Sequence, residues 1–167
     1  MGNNLSNYDV IRVTPSLDTN AYATGDVLFN SVEIPNAVYG NGGCSKLVNM
    51  FVVNQANVSI DVNFFFSENS ITLGTVNATA DFSDATLEAA NIIGTMKLDG
   101  DQTLTGGTDN SIIQAVMGAT GSGEAITPIM LQAAANSTSV YVAAIITSGT
   151  PTFAADDLDL VFHIQKR

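Results

Sequence analysis

The chain has 167 residues, with 16 acidic side chains against 5 basic ones and a formal net charge of −11. Only 13% of the residues are charged while 46% are hydrophobic, which excludes an acidic disordered tail and fits one domain with a real core. Five cations displace few phosphate counterions, so nucleic acid is excluded as a main partner, and an anionic membrane surface is equally disfavoured.

Met1 to Asp9 is polar and lacks the basic and apolar regions of a signal peptide. Its Met1-Gly2 to Ser6 match to a myristoylation pattern, and the sequons at Asn4, Asn57, Asn77 and Asn136, are what an Asn- and Thr-rich chain produces by chance. No run reaches the roughly 18 to 20 apolar residues of a transmembrane helix. These features predict a soluble chain made in the cytosol, with an arm at residues 1–9 and one domain at residues 10–167.

From there the dominant period is two. Strands are expected at Tyr8–Thr14, Asp26–Ile34, Lys46–Val53, Val58–Phe66, Ile92–Leu98, Ile112–Met117, Ile126–Ala133, Val140–Thr147 and Leu158–Ile164. Val58, Ile60, Val62, Phe64 and Phe66 alternate with mostly polar residues, as do Leu158, Leu160, Phe162 and Ile164. Lys46–Val53 and Val140–Thr147 are apolar on both faces, which makes them central strands or strands covered by another chain. Glycine-rich turn signals separate the runs, and Ser83 and Asp84 open one short helix through Ala90. The pattern is an all-β antiparallel sandwich or jelly roll of about eight or nine strands with one short helix.

No catalytic constellation emerges. The single histidine, His163, falls on the outward side of its strand. The single cysteine, Cys44, allows no internal disulfide; with only Lys46 nearby to lower its pKa it reads as a buried or half-buried inert thiol. Asp156, Asp157 and Asp159, the pair Asp99 and Asp101, and Asp81 with Asp84 offer oxygens to a hard cation but follow no known calcium-loop spacing. They read as solvated turn acids, and no metal or other cofactor is expected. Gly118 to Gly123 lacks the lysine of a phosphate loop. Asp61 and Asp159 on outward faces, with Asp99, Asp101, Asp156 and Asp157 at turns, describe a one-signed coat that keeps free subunits soluble and apart.

What remains is surface. Phe65 interrupts the polar face of its strand, and Tyr141 and Ile145 lie on the second face of theirs. They mark a second buried face, supplied either by another subunit or by the chain's own helix and long loops.

The stretch Leu17 to Leu28 resembles the opening of a group of small structural proteins from tailed bacteriophages. Phe64-Phe65-Phe66, the loop ending Leu73 to Ala78, Ser139 to Ala144 and Ser148 to Phe153 are similar to that group in order and spacing, so the likeness spans about Val10 to Ile164. The resemblance implies a β-sandwich virion component: a capsid decoration, or cement, protein that binds the major capsid protein on the outer surface of the head. It also implies a homo-oligomer, a trimer ahead of a dimer, and an N-terminal arm, so that Asn4, Leu5 and Tyr8 join Phe65, Tyr141 and Ile145, which the alternation singles out, as candidate interface residues. A head-fibre or tail-associated module that binds a host glycan is the first alternative, but the chain has no Trp and four Tyr to stack on sugars. A small metal-dependent hydrolase is the second; it requires Asp156 and Asp159 to converge with His163.

Overall fold

The computed structural model describes residues 7–56, 58–100, 103–105, 111–114, 116–117 and 128–166. In chain order the elements are β1 (Tyr8–Val13), β2 (Val27–Ile34), β3 (Cys44–Asn54), β4 (Asp61–Ser67), α1 (Asp84–Ala90), β5 (Ile92–Leu98), β6 (Thr103–Thr105), β7 (Ser111–Gln114), β8 (Val116–Met117), β9 (Ile129–Gln132), β10 (Val140–Ser148) and β11 (Leu158–Gln165). Two antiparallel sheets face one another. One has the order β1-β11-β3-β7-β6, with β9 also on β3; the other has the order β2-β10-β4-β5-β8. The expected all-β sandwich is therefore correct, and nine of the described strands have four residues or more.

The alternation read from sequence sets which side chains enter the core. β11 buries Leu158, Leu160, Phe162 and Ile164, while Asp159, His163 and Gln165 stay half-buried. β4 buries Val62, Phe64 and Phe66. Phe66 meets Phe162 across the two sheets in an edge-on contact, with ring centroids 6.2 Å apart. The two doubly apolar runs are central strands: β3 lies between β11 and β7/β9, and β10 lies between β2 and β4. The second face of β10 is shielded by a layer of loops, whereas that of β3 stays exposed to half-buried.

Three departures from the expected elements have local causes. The strand expected from Val58 begins only at Asp61, because the buried Asn54 side chain donates to the Val58 carbonyl and accepts from the Ala56 amide, holding a turn there. The run Ile112–Met117 serves both sheets: β7 pairs with β3 in one and β8 with β5 in the other. The arm boundary also moves, since Tyr8 and Asp9 already pair with Gln165 and Ile164 in the sheet. The helix follows its signals. Ser83 Oγ accepts from the Thr86 amide, and Asn91 closes the C-terminus in the left-handed region, its N–H donating to the Leu87 and Glu88 carbonyls. Gly94 lets β9 cross close to β5, for a Cβ there would lie 2.6 Å from Ile129 Cγ2.

Candidate functional site

The two outer faces of the sandwich differ. Over the five-stranded sheet, residues 71–90 fold back as a cover. Val27, Ile71, Leu73, Ala90 and Ala143 form a second buried cluster, with Phe65, Phe82, Leu87 and Ile145 packed against it. Phe65 meets Phe82 edge-on at 6.3 Å. The second face marked by Phe65 and Ile145 is thus supplied largely by the chain's own helix and loop. Phe65 keeps one open side, on a groove of about 470 Å³ between α1 and β5. Tyr141 is half-buried, with Glu33 and Ser67 as its cross-strand neighbours.

No such layer lies over the six-stranded sheet among the described residues. Cross-strand register aligns Tyr8, Gln165, Lys46 and Met130 in one row, and Arg12, Val161 and Phe51 in another. Between the rows sit Val10, His163 and Asn49, and beyond them Asp159, Val53 and Ile112. Six large apolar residues are strongly exposed among the described ones, and five of them are on this face: Tyr8, Val10, Val48, Ile112 and Met130, from 40% to 64% exposed. Phe51 and Val53 lie half-buried among them, and His163 meets the Phe51 ring edge-on at 5.3 Å. Scattered apolar residues on a surface mean little, but a contiguous set on one sheet face marks a contact surface.

Comparison with protein-family models, curated proteins and solved structures found no match.

Charge separates the two faces in the same sense. Glu33 and Asp61 on the five-stranded sheet, with Glu68, Asp81, Asp84 and Glu88 beside or over it, stand against Lys97. The six-stranded face carries Arg12 and Lys46, and its carboxylate, Asp159, is engaged by Arg12 at 2.8 Å and by the Thr14 hydroxyl. Lys166 beside this face pairs with Asp9. Among the described residues, the acids on the two sheet faces are therefore unevenly placed, and the apolar face is where they are neutralised.

The residues weighed for chemistry do not gather. His163 and Asp159 share a strand face four residues apart, about 13 Å at the usual rise, and Asp156 lies in the turn before β11. No group of three or more His, Cys, Asp or Glu side chains is close enough to hold a metal ion among the described residues. No helix among them is long and apolar enough to cross a membrane. Cys44 corrects an expectation: it is exposed, not buried. It is the first residue of β3, where Ser45 and Leu47 turn inward and Cys44 and Lys46 outward. It lines a cavity of about 160 Å³ with Lys46, Met130 and Lys166 at one end of the apolar face. Asn4, Leu5, Asn57, Asp101 and the run Gly118 to Gly123 lie outside the described residues.

The sequence signal for the apolar face was present but dispersed. Val10, Val48, Ile112 and Met130 come from four strands far apart in the chain, and only the register brings them together.

Proposed function

We propose that this protein is a non-catalytic structural component of a tailed-phage virion, a decoration protein that binds the major capsid protein on the outside of the head. The observation that carries the reading is the apolar face of the six-stranded sheet, which no described segment covers, set opposite an acidic side. A protein that coats a shell needs one surface that gives up water on docking and another that stays solvated and repels its neighbours. Val48, Phe51, Ile112 and Met130 supply the first; Glu33, Asp61, Asp84 and Glu88 supply the second. The resemblance of Leu17 to Leu28 and Ser139 to Ala144 to phage structural proteins supports the class of partner. Each subunit's contact is modest, and affinity accumulates because the shell offers many copies of the site.

The test is to purify virions of the phage that carries the gene and look for the protein by mass spectrometry and antibody labelling of intact particles. The reading expects the protein on particles, labelled without disrupting the head. Its absence from virions, or labelling only after the head is opened, overturns the reading.

A further inference from the structure

The two sheets end in five edge strands, β1, β6 and β9 in one and β2 and β8 in the other. Exposed strand edges template pairing with other chains, and folded proteins blunt them by covering them, shortening them or placing charge and bulges on them. The β2 edge is covered. The Val27 amide donates to the Ala78 carbonyl and Ser31 to Ile71, the Asn30 side chain bonds Leu73 and Gly74, and isolated bridges join Val27 to Val76 and Asp26 to Thr79. β6, β8 and β9 are three, two and four residues long, and β9 starts directly after Pro128. β1 is different: six residues without proline, in unbroken register with β11, and with no described strand on its other side.

Its charges do not blunt it either. Asp9 and Arg12 are drawn sideways into ion pairs with Lys166 and Asp159, the two ion pairs seen among the described residues. In a chain of net charge −11 with five cations, two of those cations neutralise this one edge. Two copies that repel each other elsewhere meet least resistance here.

From this edge we infer that β1 pairs antiparallel with β1 of a second copy, across a two-fold axis perpendicular to the six-stranded sheet. The strand is most self-complementary in one register. Because side chains alternate between faces, copies in a continuous sheet pair only residues that share a face. Centring the pair on Asp9 or on Arg12 sets like charges directly opposite, which is destabilising, and centring it on Ile11 sets Arg12 against Val10 with no aromatic or charged neighbour. Centring it on Val10 sets Val10 against Val10, Asp9 against Ile11, and the Tyr8 ring against the Arg12 guanidinium, a favourable aromatic–cation neighbour. The resulting dimer joins two six-stranded sheets edge to edge and turns both apolar faces to the same side. The pairing does not depend on the decoration reading. If that reading holds, the dimer presents two docking faces to one shell at once.

The experiment uses the full chain and no phage particle, so its outcome bears on the pairing alone. Sedimentation velocity at about 100 μM is expected to give a dimer, and Val10→Lys, at an exposed position with a blunting charge, is expected to weaken it at least tenfold. In a Cys44→Ser background, Val10→Cys is expected to form a covalent dimer with oxidised glutathione, because directly opposed cross-strand residues lie within disulfide reach. Val48→Cys in the same background, away from the edge, is expected to stay monomeric on a denaturing gel. A monomer at every concentration, an unchanged dimer in Val10→Lys, or cross-linking through residue 48 in place of residue 10 overturns the inference.

Discussion

Arg12 on the edge strand and Asp159 on its neighbour form an ion pair, Nη1 to Oδ2 2.8 Å, on the apolar face of the six-stranded sheet. Asp159 sits on the β11 side of that face, and Arg12 keeps it from standing there as an unpaired charge. The Arg12 side chain is itself 57% exposed, so the pair contributes little to folding.

Arg12→Gln is therefore expected to change stability by less than about 1 kcal/mol in urea titration. The same substitution leaves Asp159 to be desolvated unpaired when the face docks, so head binding is expected to weaken by about tenfold, equivalent to about 1.4 kcal/mol. Docking through apolar contacts also predicts that wild-type binding survives 1 M salt, where the Debye length is about 3 Å. Strong weakening by salt would point to a basic patch on the partner.

Phe65 and Ile112 separate folding from docking. Phe65 packs under Phe82 within the covered layer, so Phe65→Ala is expected to cost about 2 kcal/mol of stability, less than the loss for a fully buried ring. Ile112 is 44% exposed, and Ile112→Ala is expected to stay within about 0.5 kcal/mol of wild type. Paired thermal and urea denaturation of both variants checks the contrast.

Tyr22 is buried to 1% exposure, and its hydroxyl accepts from the Asp18 amide at 2.7 Å and donates to the Leu28 carbonyl at 3.2 Å. Tyr22→Phe keeps the ring against Phe153 but leaves both backbone groups without this partner. A loss of about 1 to 3 kcal/mol is expected in equilibrium unfolding. Burial, helped by the charges of Asp18 and Asp26, also raises the Tyr22 pKa against the opposing effect of the Asp18 amide bond. A folded-state pKa above the unfolded one means that this contribution is present below the unfolded value and lost as pH rises through the folded one.

Asp18 works at the other end of the pH scale. The Asn20 backbone amide, then the Asn77 and Asn20 side-chain amides, hold its pKa below the ordinary carboxylate value. The folded value is depressed, so the stabilisation is present above the unfolded pKa and is lost as pH falls through the folded one. Urea midpoints are expected to drop below about pH 4, and Asp18→Asn is expected to flatten that part of the profile. An identical slope in the variant would remove Asp18 as the cause.

The architecture was legible because its elements are locally specified. The alternation in β4 and β11, the Ser83 cap and the doubly apolar runs of β3 and β10 each report burial through a few neighbouring residues. Cys44 was misplaced because a thiol's general preference for the interior outweighed the alternation with Lys46, which turns both residues outward. β6 at Thr103–Thr105 carried no pattern of its own, because three residues are too few to show a period. The bare face was not legible for a different reason. Phe65 and Ile145 stand out in sequence yet are largely covered by residues 71–90, whereas Val10, Val48, Ile112 and Met130 look ordinary until the strands are placed side by side. Which apolar face remains open is a property of the tertiary packing.

The central claim is that the six-stranded face meets the shell and the acidic side meets the solvent. A cryo-electron microscopy map of the decorated head tests it most directly. The account predicts Val48, Phe51, Ile112 and Met130 against the capsid protein, with Asp84 and Glu88 pointing away from the particle. A map with α1 and its acids against the shell, or a head without this protein on its surface, would contradict it.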